Sequence, residues 1–550
     1  MRSALITILE TVIGLLLPFL SVAADWTRIT HPPAAPQNMV LLTNGDVMAL
    51  TSDRGPNSTM PDRSQVWMRL SPDATGDYSN GSWRFTAPMS IPRLFFASNI
   101  LRDTRLLVLG GEYSGTGLPN NWTRTGEAYD PASDTWAPIA PHPEAQFGDD
   151  PTMLLDGDRI LAGSLFTRNT WIYHYLDDSW EEKPIPKVYN DRSDEETWVK
   201  LPGGRILNYD LFQSIRIADG QFAEIFDPVA NEWQPASPSD GTAAGFIPQL
   251  SGSQIGFELG GALQTPRRMK RRNGSEEIFY IGATGHTAIY NPARNEWRSG
   301  PDILGDANGT TGLFGADDAP AAALPTGQII FAADAGPIRG GTFFAPTRLF
   351  IYDPELNAVS QLSTPFDSHL NTIPSYETRL LVLPTGQILY GDMRSTEMWL
   401  FTGDGTAPSG LRPKVDDVVL GPEGSNSFTV IGRALNGASA GSSYGDDVES
   451  DENFPIVYLT TKDGAVFYAT TSYWSNTDIG KQGAQTVDFT LPDLPTERYR
   501  LFVSGAGIRS RSFCISLKPK HVRDLVEGES ISCQTKPDGD GTDDLNIANK

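Results

Sequence analysis

The chain has 550 residues, too many for one ordinary domain of roughly 150, so it either divides into several domains or repeats one unit many times. Only 20% of the residues are charged, while 53 Gly and 41 Pro are spread along the chain, which excludes a coiled coil or long helical bundle and favours short strands joined by turns. With 67 acidic against 43 basic residues the formal net charge is −24, which argues against nucleic acid and anionic membranes as partners and leaves neutral or cationic ligands.

Residues 1–24 combine Arg2, an apolar run from Val12 to Leu20, and the small residues Ser21-Val22-Ala23-Ala24, the pattern of a cleaved signal peptide. Glu10 and Pro18 interrupt the roughly 20 apolar residues that a membrane span requires. A protein secreted or held in the secretory-pathway lumen, mature from near Asp25 and monomeric, is expected. Sequons at Asn57, Asn80, Asn121, Asn273 and Asn308 fit that route. The two cysteines, Cys514 and Cys533, are expected to bond to each other in an oxidising compartment.

From residue 25 to about 408 one pattern recurs. A short apolar strand, a Gly or Asp turn and a second apolar strand appear as Leu41-Leu42-Thr43-Asn44-Gly45-Asp46-Val47, again from Leu154 to Ile160 and from Leu201 to Ile206, and nearly identically from Leu324 to Ile330 and from Leu383 to Leu389. Such units predict β-hairpins. An aromatic-Asp-Pro turn follows, usually with a Trp five residues beyond the Pro: Tyr129-Asp130-Pro131 with Trp136, Phe226-Asp227-Pro228 with Trp233, and Tyr290-Asn291-Pro292 with Trp297. Hairpin plus turn plus Trp strand gives four strands per unit, the anatomy of a Kelch-type propeller blade. Seven blades are expected, starting near residues 38, 93, 149, 195, 246, 318 and 377, with six as the alternative because the second and fifth are irregular. The last blade lacks an outer strand, and Asp25-Trp26-Thr27-Arg28-Ile29-Thr30 matches what is missing, so the N-terminus is expected to close the ring and hide its open edge.

After Leu411 the repeat stops. Short alternating strands such as Ser427 to Ile431, Ile456 to Leu459, Gln485 to Thr490 and Tyr499 to Val503 predict an immunoglobulin-like sandwich over residues 409–518. Residues 519–550 contain Asp538-Gly539-Asp540-Gly541-Thr542-Asp543-Asp544 and are expected to form a disordered acidic tail.

The residues just before each blade's first strand are expected at one mouth of the central channel. This places Asp150, Glu196, Asp318, Tyr376 and Arg379 as candidate catalytic groups, with Arg93, Asp149, Glu195 and Asp317 as candidate substrate contacts. His286 and His369, beside recurring blade motifs, join the contacts. Crowded carboxylates raise one another's proton affinity and can serve as general acids, while Arg or Tyr can donate to a developing oxyanion. The same acids also suit turn capping, ties between blades, or a Ca²⁺ site, and each His also suits a structural role. The basic run from Arg267 to Arg272 suits a surface insertion or a dibasic processing site. No P-loop, dinucleotide fingerprint, zinc helix or nucleophile elbow occurs.

A propeller followed by a sandwich resembles the galactose oxidase and glyoxal oxidase architecture. That resemblance implies copper held by two His and two Tyr, one Tyr cross-linked to a propeller Cys and one His supplied by the C-terminal domain. Here the propeller region holds no Cys, and the segment from Leu411 to Cys514 holds no His, so copper is disfavoured and no cofactor is expected. Tyr376 to Tyr390, Gly282 to Thr287 and Trp474-Ser475-Asn476-Thr477 are similar to the copper-free Kelch/galactose-oxidase-like proteins. Within that branch the architecture resembles the fungal hetero-Diels-Alderases of tropolonic sesquiterpenoid biosynthesis, which implies a cyclase joining a quinone methide to a humulene-type terpene. The other readings are a carbohydrate-binding or cell-wall propeller without catalysis, a glycan hydrolase or lyase, and a divergent copper-radical oxidase. The expected ligand is therefore a small apolar molecule or a glycan.

Overall fold

A computed structural model describes residues 25–52, 64–115, 121–216, 222–236, 263–265, 277–316, 318–336, 343–421, 426–444, 453–480, 483–495 and 497–517. The signal segment, Asn57, Asn273, the basic run, Asp317, Cys533 and the acidic tail lie outside these residues.

Apolar strands separated by tight turns build seven antiparallel sheets of four to six strands among the described residues. Their innermost strands are Pro36–Leu41, Ala97–Ile100, Thr152–Leu155, Thr197–Lys200, Leu263–Thr265, Ala321–Ala323 and Thr378–Val382. Neighbouring sheets touch through these strands, so the sheets stand around a channel as blades one to seven. The turn from first to second strand needs a left-handed residue, and Gly45, Gly157, Gly327 and Gly386 supply it with φ of 81°, 77°, 88° and 82°.

The recurring Trp residues bolt one blade to the one before. Trp136, Trp180 and Trp297 donate their indole N–H to Ala87 O at 2.9 Å, Ala140 O at 2.9 Å and Ala236 O at 3.0 Å, and Trp233 donates to Thr170 Oγ1 at 3.1 Å. Each ring also packs on the aromatic residue of its own motif, as Trp136 does on Tyr129 at 5.2 Å and Trp233 on Phe226 at 5.3 Å.

Closure follows the sequence reading. Asp25–Arg28 pairs antiparallel with Ser395–Thr402, Asp25 opposite Thr402 and Arg28 opposite Trp399, and supplies blade seven's outer strand. Trp26 anchors it against Phe401 at 4.9 Å and Phe366 at 5.1 Å.

The C-terminal region forms two packed sheets. One contains Lys414–Leu420, Ser427–Arg433, Gln485–Thr490 and Thr470–Ser472, and the other contains Val466–Tyr468, Ile456–Thr460, Arg498–Gly505 and Phe513–Ser516. This sandwich docks on the first-to-second-strand turns of the blades. Thr471 Oγ1 donates to Thr43 O at 3.1 Å, Thr477 N to Asp156 Oδ1 at 2.5 Å, Gly203 N to Asp478 Oδ1 at 2.7 Å and Ser504 Oγ to Pro384 O at 2.8 Å. One apolar core joins Leu41, Val47 and Trp67 of blade one to Val457, Trp474 and Phe489 of the sandwich. The opposite mouth, where the innermost strands begin, is left to the loops.

A further strand, Ser442–Tyr444, leaves the sandwich and runs antiparallel along the innermost strand of blade four, Ser442 opposite Val199 and Tyr444 opposite Thr197. Ser443 Oγ accepts from Thr152 N of blade three at 3.1 Å, so this strand enters the channel between the two blades.

Candidate functional site

The chain turns sharply where it enters an innermost strand, and four non-glycine residues there adopt left-handed backbone. They are Phe95 in blade two (φ 52°), Asp149 in blade three (φ 57°), Glu195 in blade four (φ 60°) and Asp318 in blade six (φ 47°). Asp tolerates this region through local hydrogen bonds, whereas a bulky aromatic residue rarely adopts it. Such positions persist only where the surroundings fix them.

Carboxylates collect on the blade three and four side of the mouth. Asp149, Asp194 and Glu195 each bring an oxygen within 4.8 Å of the others. Arg192 Nε lies 2.8 Å from Asp194 Oδ2 and already supplies positive charge to this group. Asp150, directly below, is fully buried, with the Gly148 amide donating to Oδ2 at 3.3 Å and no partner for Oδ1. Burial, then the Asp194 charge, pushes the Asp150 carboxyl well above the usual carboxylate range and so favours its protonated form.

Several groups expected to face a ligand are instead engaged by other groups of the protein. Arg93 is 1% exposed and donates to Gly110 O at 2.7 Å, Thr125 O at 2.8 Å and Glu127 Oε1 at 3.2 Å, a tie within blade two and not a substrate contact. Arg379 donates to Gln37 O at 2.6 Å, Tyr376 O at 2.6 Å and Thr378 O at 2.7 Å, which staples blade seven to blade one and commits its fork. Glu196 is ion-paired to Lys187 in a closed chamber, with Asp210 Oδ2 and Glu224 Oε1 at 3.2 and 3.5 Å from the same ammonium. Asp318 is 4% exposed at the head of blade six. His286 sits in a second-to-third-strand turn, its Nδ1 2.7 Å from Asp302 Oδ1 at the surface. His369 Nε2 lies 3.0 Å from Asp392 Oδ1, a carboxylate that raises the imidazole's pKa.

Tyr376 does stand at the mouth, its hydroxyl donating to Glu377 Oε1 at 3.1 Å while Arg394 pairs with the same carboxylate. Around it lies a chain of rings that sequence reasoning missed. Phe343 packs on Tyr376 with centroids 4.7 Å apart, Tyr376 approaches Phe95 at 6.4 Å, and Phe95 meets Tyr113 at 5.9 Å. The rings come from blades six, seven and two, so the arc crosses the mouth over blade one. Phe343 is 38% exposed. The arc adjoins the acids, because the Gly148 backbone lies against Gly111 and Glu112, next to Tyr113.

A family model for the Kelch motif matches residues 97–143, which form blade two. The ring is a Kelch-type propeller. No curated protein matches the chain. Among solved structures the chain is similar to a fungal alcohol oxidase of the AA5 family in complex with copper, at 14% identity and a TM-score of 0.49, covering 90% of this chain and 99% of that one.

The residues present do not fit copper, which selects gathered imidazoles. Among the described histidines, His31 is exposed just beyond the closing strand, His142 is enclosed by Phe147 and Trp180 and burial lowers its pKa to about 3, His174 faces Glu181 at 3.4 Å, and His286 and His369 hold their separate aspartates. Donor groups that do gather among the described residues are carboxylates. Oxygen donors of that kind suit Ca²⁺, but Lys187 occupies the Glu196 chamber and Arg192 attends the other group.

Proposed function

We propose that the chain is a cofactor-free propeller enzyme that holds an apolar small molecule at the channel mouth and directs its cyclisation. The observation that carries this reading is the arc of Phe343, Tyr376, Phe95 and Tyr113, joined through the Gly148 backbone to the segment that carries Asp150, a carboxyl whose proton affinity burial raises. Rings supply shape and apolar contact without consuming hydrogen bonds, and a neutral acid in a dry wall supplies a proton.

In its finer form the reading follows the resemblance to the hetero-Diels-Alderases. A proton relayed from Asp150 through Asp149, Asp194 and Glu195 protonates a hydroxyl of a tropolone-type precursor, and water leaves. A ring hydroxyl of the precursor returns a proton to the carboxylates, giving a neutral quinone methide. That species adds across a humulene-type alkene, forming one C–C and one C–O bond with no net oxidation or reduction. Holding both partners in one orientation supplies the rate advantage.

The test is to incubate the purified protein with a hydroxymethyl tropolone precursor and a humulene-type alkene and to follow adduct formation by chiral chromatography. A single stereoisomer formed faster than background, and slowed about 100-fold in Asp150→Asn, is expected for loss of a general acid. Adduct at the background rate, together with a melting temperature raised by neutral glycans and not by the precursors, would overturn the reading in favour of a glycan-binding propeller.

A further inference from the structure

We infer that Phe95 is the specificity-determining residue of the mouth, its ring turned over the channel by a left-handed backbone so that it stacks on a planar, conjugated ligand. The inference rests on the apolar reading of the mouth given above and adds the residue and the ligand shape.

Phe95 lies between Leu94 and Phe96, both 1% exposed and both in the core, while Phe95 itself is half-buried. Its flanks are held firmly. Arg93–Leu94 pairs with Tyr113–Ser114, the Glu112 amide donates to Phe95 O at 2.9 Å, and Ala97 pairs with Leu109. The backbone is thus fixed on both sides, and the φ of 52° at Phe95 directs its ring toward Tyr376 and Tyr113.

The equivalent left-handed positions at Asp149, Glu195 and Asp318 all carry acids. Glycine would suit this conformation best, and Asn or Asp next. A phenyl ring at such a position gives the fold no local advantage, so its value lies in what the ring touches. The interplanar angles of 67° to Tyr376 and 65° to Tyr113 make these edge-to-face contacts, so Phe95 stands steeply to both neighbours instead of stacking flat on them.

The choice of variant separates binding from folding. Phe95→Gly relieves the backbone and removes the ring, whereas Phe95→Leu retains bulk without aromaticity. The probe is N-phenyl-1-naphthylamine, a neutral planar fluorophore, titrated into the full chain. Expected for F95G is an unchanged or higher melting temperature with probe affinity at least tenfold weaker, and for F95L a smaller loss. Equal affinity in wild type and F95G would overturn this inference while leaving the apolar mouth standing. No binding to the wild type would overturn both. A large fall in melting temperature in F95G would make the ring a packing element and overturn the inference as well.

Discussion

Replacing Lys187 with methionine keeps most of the side chain's length and removes its charge, leaving Glu196, Asp210 and Glu224 facing one another without their ammonium. All four side chains are 0% exposed, so water cannot take its place. Breaking a buried ion pair from one side costs about 3–5 kcal/mol. Divided by an unfolding entropy of about 2 cal/mol/K per residue over a ring of roughly 380 residues, this becomes a fall of roughly 5 °C in melting temperature. The pH dependence gives a second readout. Burial, opposed chiefly by Lys187, raises Glu196 to about 8 and Glu224 above the usual carboxylate range. A carboxyl whose folded pKa is raised contributes stability that is fully present below its unfolded pKa and is lost as pH rises through the folded value. Wild-type stability should therefore decline as pH climbs from the ordinary Glu value of 4.5 through about 8. The Lys187→Met deficit should be largest above that window and shrink toward about pH 5, where the carboxyls take up protons. Thermal melts of both proteins across this range are the assay. A variant melting within about 1 °C of wild type on the alkaline side, against the predicted roughly 5 °C, would refute the closed chamber.

Trp26→Ala should loosen the closing strand and cost about 2–3 kcal/mol, less than the 3–5 of a fully buried Trp because this ring is half-buried, and chemical denaturation would show it as a lower midpoint. Arg93→Lys loses the fork that reaches Gly110, Thr125 and Glu127, so it should lower stability by about 2–3 kcal/mol while leaving probe affinity at the mouth within twofold; a selective loss of affinity would restore Arg93 as a ligand contact. Asp150→Asn keeps an acceptor for the Gly148 amide and removes the proton, so it should melt no lower than wild type yet abolish the alkaline limb of the turnover profile, the limb on which Asp150 would ionise; an unchanged profile would remove Asp150 from the chemistry.

The ring and its closure were legible because both rest on short-range patterns. Hairpin turns and Trp spacing repeat in the sequence, and Asp25 to Thr30 read as an outer strand because blade seven lacked one. The level of the mouth was legible too: Asp149, Glu195 and Asp318 stand at the heads of their strands. Which neighbour faces out was not. Glu196 is one residue beyond Glu195, yet it turns inward to meet Lys187, whose place in a connecting segment follows no period. Arg93 and Arg379 read as donors to a ligand, but backbone carbonyls that sequence cannot place claim them first. Phe95 was hidden because a left-handed backbone at phenylalanine has no sequence signature; its only mark is its position before Ala97, matching the acids of other blades. The channel strand Ser442–Tyr444 follows a run of small residues from Gly437 to Gly441 that reads as a turn, since the pairing edge that makes it a strand belongs to blade four, far away in sequence.

The measurement that bears most directly on the central claim is a crystal structure of the full chain soaked with the neutral tropolone precursor. The ligand is expected at the channel mouth, its flat face against Phe95 and its edges toward Tyr376 and Tyr113. A ligand seated instead in the cleft of about 240 Å³ between the blade six and seven turns and the sandwich, beside Tyr458 and Arg509, with the aromatic arc empty, would contradict it.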